Sequence, residues 1–122
     1  MSLRAAEVFR PRRKRRKPEL AVQKACLAYL RERGALMAVT DAGAAHRAGA
    51  YFGSAVPRGW PDITGVLPGG RFIGVECKAP NGRQSPAQKA MQREIRSRGG
   101  LYVLARSTDD LTKQLEAAGV QL

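Results

Sequence analysis

A Pro-Gly-Gly triplet at 68–70 separates two runs of strand-forming residues, DITGVL at 62–67 and RFIGVECK at 71–78. Such a triplet between two β-prone runs predicts a hairpin. With residues 68–70 as the loop, paired positions sum to 138, so Leu67 faces Arg71, Ile63 faces Val75 and Asp62 faces Glu76. A two-residue loop would shift the sum by one and turn Glu76 to the opposite face. Phe72, Ile73 and Val75 give the second strand the composition of an interior one, where carboxylates need partners.

The other elements arrange themselves around this hairpin. Pro18 suits a first helical turn, and Leu20, Cys26, Leu27 and Leu30 approximate one apolar face of a helix from Glu19 to about Arg33, stopped by Gly34. ALMAV at 35–39 reads as a short buried strand. A long Gly- and Ala-rich segment, Thr40 to Trp60, follows and holds His46, Arg47 and Arg58; a loop of that length in a small domain is usually functional or mobile. Ser85, Pro86 and Gln88 fit an N-cap, a proline at N1 and a capping-box partner at N3. They open a helix to about Arg98, striped by Ala87, Met91 and Ile95 and ended by Gly99-Gly100. LYVL at 101–104 is another strand, and Ser107 starts a last helix to about Ala118. The order α-β-β-β-α-β-α makes a small mixed α/β domain, and 122 residues leave room for only one.

Charge divides the chain further. Lys and Arg number 22 against 10 Asp and Glu, a net +12. Residues 1–17 hold eight basic side chains and one acidic (+7), leaving fourteen against nine (+5) for 18–122. The block RPRRKRRK at 10–17 repels itself and has no apolar side chain to bury, so it reads as an arm, disordered when free. Arg12, Arg13, Lys14, Arg15, Arg16 and Lys17 would grip phosphates through counterion release. The bland alternative is a solubilising or localisation tail. No run of about 18 apolar residues is present to span a membrane, and no apolar region follows the N-terminal charge as in a secretory signal. Cys26 and Cys77 form no CxxC pair, and a single histidine leaves no familiar zinc spacing. The expectation is a cytoplasmic protein with reduced thiols, a polyanionic partner and no membrane association.

The chemistry sits on the hairpin. Carboxylates of Asp62 and Glu76 in directly opposed positions would have Cβ atoms about 4.5–5.5 Å apart, which is destabilising unless something positive intervenes. A divalent cation is the economical choice. Glu76 and Lys78 share a face, while Cys77 points away and leaves its backbone carbonyl as an oxygen donor. Carboxylate, carbonyl and water oxygens suit a hard cation. Such an ion lowers the pKa of bound water and neutralises charge on a phosphodiester. Lys78 would orient or deprotonate that water, or stabilise the transition state. Against this stand two blander readings: an Asp after Pro that caps a turn, and a Glu-x-Lys that is a solvated pair.

Trp60-Pro61-Asp62, thirteen residues, then Glu76-Cys77-Lys78 matches the PD-(D/E)xK nuclease signature. With Gly59, Gly74-Val75, Gly82-Arg83, Ser85-Pro86-Ala87-Gln88 and Gly99-Gly100, the chain from Glu19 to Leu111 resembles the VRR-NUC family. The resemblance implies a restriction-endonuclease-like core, a mixed sheet flanked by helices, over residues 18–122, and a Mg²⁺- or Mn²⁺-dependent nuclease. Asp62 and Glu76 would be metal ligands, with the Cys77 carbonyl, and Lys78 the catalytic lysine. Gln88 matches the glutamine that supports the family's active site, although it equally serves the capping box. Glu19 falls where the family often carries an acid that binds metal directly or through water; its place at a helix N-terminus is an alternative reason for it. Cys77 departs from the more frequent Val, a small change if only its carbonyl is used. His46 reads as a loop histidine near phosphate rather than a general base, and Trp60 as a core or wall residue rather than a base-stacking platform.

Arg47, Arg58 and Arg83 are expected to meet DNA backbone. Stand-alone members of this size, from phages and bacteria, resemble Holliday-junction resolvases in being homodimers, which implies paired cuts on branched DNA. So small a surface reads backbone geometry better than base sequence. The alternative is a non-catalytic nucleic-acid-binding protein with the same fold and arm. Deleting residues 1–17 is expected to weaken DNA binding and to flatten the log K against log[salt] slope by about 0.9 for each phosphate no longer neutralised. An unchanged slope in a salt titration would remove the arm's role.

Overall fold

The computed structural model describes residues 17–41 and 56–122. Arg12, Arg13, Lys14, Arg15, Arg16, His46 and Arg47 lie outside the described residues. The element order is α1 (Lys17–Glu32), β1 (Leu36–Val39), β2 (Ile63–Val66), β3 (Phe72–Cys77), α2 (Pro86–Ser97), β4 (Leu101–Ala105) and α3 (Thr108–Ala117). This is the expected α-β-β-β-α-β-α, with ends differing by one or two residues. One difference touches the expected arm: Lys17 belongs to the first turn of α1, because Pro18 at the next position suits that turn.

The four strands form one mixed sheet in the order β1-β2-β3-β4. β1, β2 and β3 are antiparallel neighbours, while β4 returns parallel to β3 through α2. The hairpin has the three-residue loop expected of it. Ile63 pairs with Val75 and Val66 with Phe72, and the Leu67 amide donates to the Arg71 carbonyl at 2.9 Å. Because the side-chain period is two, this register decides which residues face which layer.

One face is the hydrophobic core. Ile73, Val75, Cys77, Val103 and Ala105 meet Cys26 and Leu30 of α1 and Leu111 and Leu115 of α3 in a single buried cluster. Leu30, Ile63, Ile73, Val75 and Leu111 are fully buried, each contributing about 1.5–3 kcal/mol. The first helix turns its buried positions inward at Gln23, Cys26 and Leu30. It ends as expected at Gly34, in the left-handed region at φ 91°. Among the described residues no helix is long and apolar enough to cross a membrane.

The other face carries Thr64, Gly74, Glu76 and Tyr102 toward α2. Its capping box is complete: the Gln88 amide donates to Ser85 Oγ at 3.1 Å and the Ser85 amide to Gln88 Oε1 at 2.8 Å. The turn before Pro61-Asp62 packs on this helix start. Gly59 has φ 84°, and a Cβ there would lie 2.3 Å from the Ala87 carbonyl oxygen. Gly59→Ala therefore combines a left-handed backbone, costing about 1–2 kcal/mol, with a backbone clash. Gly69, at φ 98° in the hairpin loop, has open space around it. Thermal melts are expected to show Gly59→Ala losing about twice as much stability as Gly69→Ala or more, and equal losses would mean the Gly59–Ala87 contact is unimportant.

Candidate active site

Asp62 and Glu76 are both fully buried, an arrangement charged residues adopt only with partners. The ladder that pairs Ile63 with Val75 places Asp62 next to Glu76 one step on. Asp62 is held from two sides. Its Oδ2 accepts the Cys77 amide at 2.8 Å, and its own carbonyl accepts the Thr40 amide at 2.8 Å, extending the β1–β2 ladder. Thr40 Oγ1 donates to the Pro61 carbonyl at 2.9 Å, and Thr64 Oγ1 donates to Thr40 Oγ1 at 3.2 Å. Pro61 itself lies over Gly74, where a Cβ would come within 2.6 Å of the ring.

Glu76 is braced by two side chains. Gln88 Nε2 donates to its Oε2 at 2.6 Å, and Lys78 Nζ stands 3.7 Å from the same oxygen with its side chain only 14% exposed. Gln88 makes the capping contact and the carboxylate contact at once. Its Oε1 accepts from the Ser85 amide and closes the cap, while its Nε2 reaches the carboxylate. A helix N-terminus and a strand carboxylate are joined through one amide.

Cys77, between Glu76 and Lys78, projects to the core face and is fully buried. Its hydrogen bond with Cys26, then burial, then the neighbouring Asp62 and Glu76 charges push its thiol well above the ordinary cysteine range. The pleat turns the sulfur into the core, so it is the Cys77 backbone that meets the carboxylates. On the β4 side of the site, Tyr102 shares the face of Glu76 through its register with Gly74. Burial first, then the Glu76 and Asp62 charges, outweigh the hydrogen bond from Gln84 and push its phenol up to about 12.

The structure thus brings Asp62, Glu76, Lys78 and Gln88 together. Glu19 lies in the first turn of α1; among the described residues no three Asp, Glu, His or Cys side chains form a metal-binding group. The oxygen donors nevertheless fit Mg²⁺, which typically takes one or two carboxylates and completes its shell with water and substrate phosphate. Arg58 and Arg83 are exposed on the turns that flank the site at residues 56–60 and 79–84. Sequence reasoning missed Thr40, Tyr102 and Arg106; Arg106 pins the loop after Lys78 by donating to the Gly82 carbonyl at 2.8 Å. The alternation of LYVLA would have placed Tyr102 opposite Leu101 and Val103, but nothing local ties β4 to β3.

No family model and no curated protein matches the chain. Its structure is similar to a solved VRR_NUC domain, with a TM-score of 0.61 and 24% sequence identity, covering 83% of this chain and 97% of that one. The chain has the VRR-NUC family fold.

Gln88→Glu keeps the capping acceptor and replaces the donor to Glu76 with a second carboxylate. Like charges in contact favour protonation in the folded state, so the added destabilisation is fully present at neutral pH and relieved as pH falls. Melting temperatures from pH 4 to 8 should converge toward those of the unsubstituted chain at the acid end. A pH-independent offset would mean that the Gln88–Glu76 contact carries no electrostatic weight.

Proposed function

We propose that this chain is a metal-dependent nuclease that hydrolyses phosphodiester bonds of DNA. The observation that carries the reading is the juxtaposition, inside a small basic domain, of two buried carboxylates, a lysine and a glutamine on one face of a mixed sheet. The fold shared with a VRR_NUC domain supports it. Asp62 and Glu76, with the Cys77 carbonyl, would hold Mg²⁺ or Mn²⁺, and Glu19 would join through water. Such an ion supplies a low-pKa water and neutralises the scissile phosphate.

The protein's own groups do the rest. The Cys77 amide and the Thr40 backbone fix Asp62, so its second oxygen has a defined direction. Gln88 fixes Glu76 in the same way. Lys78, tethered beside Glu76, offers positive charge and a proton where negative charge develops on the phosphate. Arg58, Arg83, Arg47 and the basic N-terminal block would follow the DNA backbone. A backbone-reading surface of this size favours DNA structure over base sequence. The substrate is therefore proposed to be branched, such as a four-way junction, cut by a homodimer in paired incisions within the cytoplasm of a bacterium or phage-infected host.

The test is cleavage of a labelled four-way junction, a flap and a linear duplex in Mg²⁺, Mn²⁺ or EDTA. Cleavage is expected only with metal, and Asp62→Ala should lower it on the order of 10²–10³-fold with binding retained. Gln88→Leu should lower it about 10–100-fold. Paired symmetric cuts on the junction carry the resolvase-like reading; flap-only cutting keeps the nuclease and removes that substrate. Tight binding without cutting in any metal would make the chain a binding protein, and full activity in Asp62→Ala would exclude this site.

A further inference from the structure

Beside the carboxylates, on the same face of the sheet, lies an apolar cavity of about 370 Å³ walled by Trp60, Phe72, Met91 and Ile95, with Glu94 and Arg98 at its polar side. Trp60 and Phe72 meet at a tilt, ring centroids 5.8 Å apart and planes 59° apart. Trp60, Phe72 and Met91 are each only partly buried, so the recess is lined by apolar surface that water reaches. We propose that this cavity is a subsite for an unpaired nucleobase of the DNA substrate.

Four observations support that occupant, and the inference rests on the proposal that DNA is the substrate. The cavity lies on the same face of the sheet as the site: Trp60 stands two residues before Asp62, and Phe72 shares the face of Glu76 four residues along β3. Four strand residues span about 13 Å, and at 3.4 Å of rise per stacked base about four stacked nucleotides cover that distance, fewer when unstacked. The volume belongs to the small end of ligand pockets, and aromatic walls bind any base through its π-face. Charge agrees as well, since a chain of net +12 attracts the polyanion that carries the base.

A second copy of the chain is the competing occupant. Leu36 and Val66 continue the row of Phe72 on this face and are 79% and 40% exposed. A recess of this volume cannot alone supply the roughly 800 Å² per partner of a stable protein interface. A base in the cavity must be unstacked, which duplex DNA resists and a junction, flap or single strand permits. The subsite would therefore select DNA structure without reading sequence.

Trp60 is the chain's one tryptophan, so its emission reports on the cavity directly. In EDTA and at fixed salt, a short oligothymidine, an abasic strand of equal length and a blunt duplex are titrated into the full chain. The thymine strand is expected to quench Trp60, and the abasic strand and duplex to bind without quenching. Met91→Glu should weaken oligothymidine binding about tenfold and leave duplex affinity unchanged. Equal quenching by the abasic strand would overturn the subsite. So would a Met91→Glu chain that loses self-association in sedimentation while keeping its oligothymidine affinity. If that variant does not fold, the comparison of the three ligands on the unsubstituted chain decides alone. Quenching is read without metal, so it is separate from catalysis. Cleavage without base-dependent quenching keeps the nuclease and removes the subsite, and quenching without cleavage does the reverse.

Discussion

Two carboxylates buried side by side are the constraint to which the rest of this molecule responds. The hairpin register sets Asp62 beside Glu76, and neither reaches solvent. Left alone, such a pair would be protonated or would drive the strands apart. The surrounding structure instead supplies a backbone amide to Asp62 and an amide and an ammonium to Glu76. Each of these donors comes from an element with a structural task of its own. The Cys77 amide belongs to an interior strand, the Gln88 amide to a helix cap and the Lys78 ammonium to the strand's exit. Holding the carboxylates and building the fold are one set of bonds.

That sharing explains why α2 sits where it does. A capping box normally satisfies two backbone amides and ends its influence there. Here the capping glutamine has one polar atom left over, and the helix start is placed so that this atom meets Glu76. Gly59 permits the chain before Pro61-Asp62 to lie against the same helix turn. The strand and the loop carrying the two acids are thus both referenced to one helix N-terminus, so a displacement of α2 would be felt by both.

The hairpin was legible in the sequence because all its determinants are local. Pro68-Gly69-Gly70 sets the loop, the loop sets the register, and the register sets Asp62 against Glu76. The α2 cap was legible for the same reason, being written in Ser85, Pro86 and Gln88. Thr40 was not, because β1 reaches β2 across a segment with no turn signal to define the pairing. Tyr102 was not, because β4 joins β3 in parallel through a helix, and parallel registers have no hairpin loop to count from. Which of two faces a parallel strand presents depends on packing over the whole sheet. The capping contact of Gln88 was legible, but its simultaneous contact with Glu76 was not, since one amide serving two partners is visible only in three dimensions. Trp60 read as a core or wall residue, and the structure makes it a half-buried wall with open space beside it.

Cys77 shows what a strand's two-residue period allows. It stands between Glu76 and Lys78, in a place where a thiol beside the proposed cation site would invite ligation or oxidation chemistry. The pleat turns it to the opposite layer, where Cys26 and burial keep it protonated. Its backbone stays on the functional side, with its amide on Asp62. Any small apolar side chain would satisfy the core at this position, whereas no side chain could replace the amide. A proline at 77 would remove that donor, so the requirement at this position is on the main chain, and the side chain answers only to the core.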